Sequence, residues 1–230
     1  MKPDNIREVR YMKWLGHAAF GLVSQGGVRI LTDPFDNSVP YPHIALECDV
    51  VTVSHEHFDH NGVEGLKGSP RVLRAVVGKE ATPLDETVGD VRFRVVPSLH
   101  DDKGGSLRGP NGIFVMEMPD MTVVHLGDLG HPLDEKTVSA IGKCDVLLVP
   151  VGGHYTIDGK TAAQVVRSLR PKVAIAMHFK TSYIKDWPIS GPEDFEAEWK
   201  SVKKLPPGEF DVDLSPDKLG PETEIWIPAI

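Results

Sequence analysis

The sequence predicts a layered α/β domain. Two observations carry that prediction. Short apolar runs rich in β-branched residues recur along the whole chain, and stretches with helical spacing lie between several of them. Four of those runs stop at a histidine or an aspartate, namely His55, His100, Asp128 and His178, and the carboxyl ends of strands are where open α/β sheets place their sites.

Taken in order, Glu8 to Leu15, Ala18 to Val23 and Val28 to Leu31 read as a β-meander, with Gln25-Gly26-Gly27 as a hairpin turn. It stops at Thr32-Asp33-Pro34, since proline cannot donate to a ladder. Asp33 is thereby a candidate support for a site at that strand end. Asp36 to Glu47, with Pro40 and Pro42, reads as a loop bordering a pocket. Asp49 to Ser54 is a buried strand, followed by the histidine cluster and a short helical turn. Arg71 to Val77 and Val91 to Val96 are strands, the second delivering His100. Asp101 to Gly112 is glycine-rich and charged, which predicts a mobile loop outside the core.

Ile113 to Met118 and Met121 to Leu126 form a hairpin across Pro119-Asp120, and the chain then reads Gly127-Asp128-Leu129-Gly130-His131. Leu133 to Ile141 has helical character, Val146 to Val149 is a short strand, and Gly152-Gly153-His154-Tyr155 is a loop. Lys160 to Leu169 is an amphipathic helix. Val173 to Met177 is a strand ending at His178, followed by a charged helix from about Pro192 to Lys203 and a last strand near Glu224 to Ile227. Each half reads as a hairpin followed by strand and helix units, without a sequence repeat between them.

Residues 1–230 contain no linker-like stretch and are read as one domain, with a hydrophobic share of 40% that supports a core. The net charge of −8 and pI near 5.7 give no general field for nucleic acid or anionic lipid, so nucleic acid is disfavoured as a partner and no membrane is expected. Cys48 and Cys144 lack metal-ligand spacing and read as reduced core thiols. The N-terminal residues lack the apolar run of a signal peptide, and a cytoplasmic location is expected.

The chemistry concentrates in His55-Glu56-His57-Phe58-Asp59-His60, three imidazoles and a carboxylate within one short segment. In extended chain, side chains two apart share a side, so His55 and His57 can hold one metal, while the turn at Asn61-Gly62 swings Asp59 and His60 toward a second. Mixed imidazole and carboxylate donors suit zinc, iron or manganese better than calcium or magnesium.

This segment matches the HxHxDH motif of the metallo-β-lactamase superfamily, followed in order by a lone histidine, an aspartate and a histidine. Trp14-Leu15-Gly16-His17-Ala18, Leu31-Thr32-Asp33-Pro34, Leu126-Gly127-Asp128 and Pro150-Val151-Gly152-Gly153 extend the likeness toward a branch resembling L-ascorbate-6-phosphate lactonase. The resemblance spans about residues 11 to 180. It implies a four-layer αββα sandwich, two mixed β-sheets face to face with helices outside. It also implies two divalent transition-metal ions, zinc first with manganese or iron as alternatives. His55, His57 and His100 would hold one, Asp59, His60 and His178 the other, and Asp128 would bridge them.

Such a pair lowers the pKa of a shared water toward neutrality and polarises the bond under attack. Asp59 can orient that water or take its proton. His131, His154 and Tyr155, just past strand ends, are candidates to protonate a leaving group or steady an oxyanion, with His131 named first as catalytic. His17 is a supporting residue by resemblance, whereas His43 and His125 read as structural. Arg108 in the 101–112 loop is a candidate for an anionic substrate group.

The activity expected is hydrolysis of a small ester, lactone or phosphodiester. A nuclease of the same superfamily and a metal-binding protein without turnover are the alternatives. No flavodoxin-like domain and no long RNA-binding insertion accompany the motif.

Overall fold

The structure is a computed structural model and describes residues 11–214 and 219–230. The meander is β1 (Tyr11–Gly16), β2 (Ala19–Val23) and β3 (Arg29–Thr32), all antiparallel neighbours. Of the first predicted strand, residues 8–10 lie outside the described residues. β4 (Val50–Val53) and β5 (Arg71–Arg74) then add in parallel through connections that contain no helix. The helical turn expected after the histidine cluster is only a hydrogen-bonded turn, in which His60 N and Asn61 N both donate to the His57 carbonyl.

The predicted strand from Arg71 to Val77 is broken at Ala75. β6 (Val76–Val77) pairs instead with β7 (Glu80–Ala81) in a small separate hairpin. β8 (Asp85–Val88) is a short edge strand with polar residues at three of its four positions, which hid it in the sequence. β9 (Val91–Leu99) and β10 (Pro110–Glu117) are longer than expected and pair along their whole length. Asn111 and Gly112, placed in a loop by the sequence, are therefore buried strand residues.

β11 (Thr122–His125) closes the hairpin, and α1 (Glu135–Ile141) follows, capped by Asp134. β12 (Val146–Pro150), α2 (Gly159–Leu169) and β13 (Val173–Met177) form a parallel β-α-β unit. The helix predicted from Pro192 to Lys203 shrinks to α3 (Glu193–Glu196), after which the chain turns into β14 (Lys203–Leu205) and β15 (Glu209–Asp211). β16 (Glu224–Pro228) ends the fold.

Two mixed sheets result, ordered β15-β1-β2-β3-β4-β5 and β14-β16-β13-β12-β11-β10-β9-β8. The resemblance in plan between the halves is real at this level, each an antiparallel part continued by parallel strands. Period-2 alternation directs Val50 into the main core between the sheets, with Trp14, Phe20, Phe93 and Phe114, while Val51 and Val53 face outward. Each fully buried large side chain contributes about 1.5–3 kcal/mol. α1 packs on β9 and α2 on β12, so helices cover the second sheet. The outer face of the first sheet is covered by Ile44, Val63 and Leu66 from loops. No described helix is long and apolar enough to cross a membrane.

Candidate metal centre

Four strand ends meet along one edge of the sandwich. His55 follows β4, His100 follows β9, Asp128 follows β11 and His178 follows β13. The chain bends after Ser54 rather than staying extended, yet the His55 and His57 rings still meet, with centroids 4.6 Å apart. One ligand atom from each of His55, His57 and His100 lies within 4.8 Å of the others. A second group gathers Asp59, His60, His178 and His17 on the same criterion. Asp128 stands between the two, its Oδ2 3.1 Å from both His100 Nε2 and His178 Nε2, and its Oδ1 3.2 Å from His60 Nε2.

The electrostatics fit a cation. His55 Nε2, His60 Nε2, His178 Nε2 and Asp128 Oδ1 are buried without a hydrogen-bond partner, although they converge on one another. Such orphaned donors and acceptors are costly unless something else satisfies them. Burial and the neighbouring His60 push the His55 pKa well below its ordinary value, and burial with His100 lowers that of His57. Both are thus held in the neutral, ligating form. Burial also opposes charge on His60, but the Asp128 and Asp59 carboxylates outweigh it and raise its pKa. Burial works against an ionised Asp128 as well, and His178, His60 and His100 overcome it. A divalent cation would sit where these carboxylates now attract a proton.

Buried polar residues set the orientation of the imidazoles. The Asp33 carboxylate accepts from Ser54 N at 2.8 Å, from Ser54 Oγ, and from His60 Nδ1 at 2.9 Å. Ser54 Oγ has given its only proton to Asp33, so at 2.9 Å it accepts from His55 Nδ1. Asp33 thereby fixes two rings, leaving Nε2 of each free to ligate. Asn111, which sequence reasoning missed, donates to the Leu126 carbonyl and accepts from Asp128 N, both at 2.9 Å, and so ties β10 to the Asp128 turn.

His17 Nε2 lies 3.1 Å from Asp59 Oδ2, and burial together with His178 lowers its pKa to about 4. Its carbonyl accepts from His178 N at 2.9 Å, and the two rings lie against each other at a tilt of 41°, with centroids 3.9 Å apart. His17, Asp33 and His178 all have positive φ, at 53°, 38° and 51°. Each such non-glycine residue costs of order 1–3 kcal/mol, and strain of this kind collects at functional sites. His125 is held between the Ala18 carbonyl and Gly127 N, as a structural histidine should be.

Above these groups opens a cavity of about 710 Å³ lined by His57, Asp59, His100 and Asp128 below and by Phe58, Arg108, Tyr155 and Trp187 around the sides. Tyr155 lines this cavity, and the Arg108 guanidinium leans over its ring at 5.6 Å. His154 faces an adjoining cavity with Arg108 and Tyr155. His131 is not brought into either. Its Nε2 accepts from Leu99 N and its Nδ1 meets the Pro132 carbonyl, so both ring nitrogens are committed to backbone, which corrects its expected role as a proton donor.

The 101–109 loop is also better ordered than its glycines suggest. Asp101 is buried and accepts from the backbone N–H groups of Lys103, Gly105, Leu107 and Arg108 at 2.8 to 2.9 Å. Burial resists its charge, but these donors prevail and lower its pKa to about 2. Lys103 pairs with Asp102, leaving Arg108 as the cation presented to the cavity. Trp187 and Pro188, from the loop after His178, were not predicted. An aromatic-proline pair outside any strand was the one local signal for them.

The beta-lactamase superfamily domain matches residues 11–178, a span that includes both ligand groups. The chain belongs to the metallo-β-lactamase superfamily. Within it, a UPF0173 metal-dependent hydrolase of Pyrobaculum arsenaticum is 31% identical over 219 residues, covering 84% of this chain and 93% of that one. One from Carboxydothermus hydrogenoformans is 31% identical over 227 residues, covering 86% and 97%. A crystal structure from Thermotoga maritima, of a proposed Zn-dependent hydrolase of this superfamily, aligns with a TM-score of 0.75 at 34% identity over 96% of this chain and 100% of that one. The chain is thus a metal-dependent hydrolase of the metallo-β-lactamase superfamily, within the UPF0173 family.

Proposed function

We propose that this protein is a dinuclear hydrolase acting on a small, anionic ester, lactone or phosphodiester. The observation that carries the reading is the convergence of unpartnered imidazole nitrogens and Asp128 on buried points directly beneath a solvent-open cavity. His55, His57 and His100 would hold one ion, Asp59, His60 and His178 the other, and Asp128 would contact both. Zinc is the first choice by donor set, with manganese or iron as alternatives. Bound there, the ions supply a water acidified toward neutrality and polarise the bond under attack.

The chain's own residues do the rest. Asp33 and Ser54 hold His60 and His55 in the ligating tautomer. His17 donates to Asp59 and fixes the carboxylate that accepts the proton of the attacking water. Tyr155, at the cavity wall, donates to the developing oxyanion or leaving group, and Arg108 meets a substrate anion. The lactone end of this range rests on the sequence likeness to the lactonase-like branch. A cytoplasmic location belongs to the same reading, supported by two cysteines that are unbridged and buried.

The test is metal analysis of protein purified without added metal, followed by a screen of lactones, thioesters and phosphodiesters. Turnover abolished by a chelator and restored by zinc, manganese or iron supports the reading. A metal-replete protein inert toward every class opposes it.

A further inference from the structure

We infer that the substrate is two-sided, with an aromatic-sized apolar group on one side of the scissile bond and an anionic group on the other. This rests on the hydrolase reading above and names its substrate class.

Two cavities meet at His57. The larger, about 710 Å³, has an apolar wall of Phe58, Trp187 and Pro188. Phe58 sits inside the ligand motif and is 52% exposed, an unusual position for a phenyl ring that serves only the core. Trp187 meets Phe58 at 6.4 Å and the His17 ring at 5.3 Å, both edge to face. The aromatic wall is therefore fastened to the group that holds Asp59. The smaller cavity, about 380 Å³, shares Glu56, His57 and Arg108 with the larger and is further lined by His55, Lys79, Gly105 and Pro110.

The charges of the two cavities differ. Arg29, Arg71, Arg74, Arg92, Arg94 and Arg167 all pair with carboxylates. Among the described residues, Arg108 and Lys79 carry no such pairing; Lys79 faces the smaller cavity alone, and Arg108 stands where the two cavities adjoin. Glu56 borders both cavities, but its carboxylate is taken by Arg74 and Asn61. Asp186 lines the larger cavity only, where it repels an anion. An anionic group is therefore steered to the Arg108 and Lys79 side, and an apolar group to the Phe58 and Trp187 side, with the bond between them over His57 and Asp128.

The test is calorimetric binding to metal-loaded protein, using hydroxamates R–CO–N(OH)–R′ that grip metal through both oxygens. R is methyl or 2-phenylethyl, and R′ is methyl or carboxymethyl. The phenylethyl group should strengthen binding about tenfold, a gain lost in Phe58→Ala with Trp187→Ala. The carboxymethyl group should add a similar gain, lost in Arg108→Gln with Lys79→Gln. Phe58, Arg108 and Lys79 lie outside the core and Trp187 borders a small hydrophobic cluster, so a wild-type affinity for the dimethyl compound is the check that each variant keeps its fold and metal centre. If all four compounds bind within about twofold of one another, or the gains survive the substitutions, the two-sided site is wrong while the metal centre stands. If none binds a metal-replete protein, the open metal centre itself is wrong.

Discussion

His60 Nδ1 lies 2.9 Å from Asp33 Oδ2, and both residues are fully buried. The same carboxylate reaches His55 through Ser54, so a residue that contacts no substrate sets the orientation of one imidazole in each ligand group. Asp33→Asn replaces an acceptor with an amide that presents donors toward Ser54 and His60. Metal affinity should fall roughly ten- to hundredfold, read by competition with a chromogenic chelator. Wild-type affinity would show that the rings hold their orientation without Asp33.

Gly152 lies so close to His178 that an added Cβ would stand 2.3 Å from the His178 carbonyl oxygen, which accepts from Gly152 N. Gly152→Ala should therefore displace His178 and deplete the second ion before the first. Metal analysis of the folded variant checks this. Equal occupancy of both positions would mean that the loop yields elsewhere.

What the sequence made legible follows from where the signal is local. β4 was read correctly because Val50 to Val53 is β-branched and buried on both faces. The ligand motif was legible because its residues are consecutive. β8, β14 and β15 went unread, since short edge strands with polar exposed positions look like loops. The long charged helix stops after a single turn, where Glu198 N and Trp199 N donate three residues back to the Phe195 and Glu196 carbonyls, and the chain then leaves for β14. Trp187 and Phe58 meet only through tertiary folding, 129 positions apart, and no spacing rule finds such a wall.

His131→Ala should leave kcat and KM unchanged, because both ring nitrogens serve backbone groups away from the cavity. Losing the acceptor for Leu99 N should cost about 1 kcal/mol of stability, measurable by denaturant unfolding. A fall in kcat without a change in metal content would restore His131 to the reaction.

Asp145 is buried and accepts from Thr122 N and Lys143 Nζ, with Lys172 nearby. Burial opposes its charge, but Lys143 and Thr122 outweigh that and hold its carboxyl below the usual range. The unfolded chain therefore takes up the proton first as pH falls. Its stabilisation is complete above about pH 4 and is lost as pH drops through the lower folded-state pKa. Asp145→Asn should lower stability at neutral pH and flatten the acid limb of a stability curve. An acid limb of unchanged slope would remove Asp145 from that role.

The central claim is that the residues around Asp128 form two adjoining metal positions, and elemental analysis of wild-type, His57→Ala and His178→Ala proteins tests it most directly. The wild type should carry about two transition-metal ions per chain. His57→Ala should lose mainly the ion shared with His55 and His100, and His178→Ala mainly the ion shared with Asp59 and His60, each variant retaining close to one. A single ion in the wild type, or a full complement in both variants, would contradict the two-position centre.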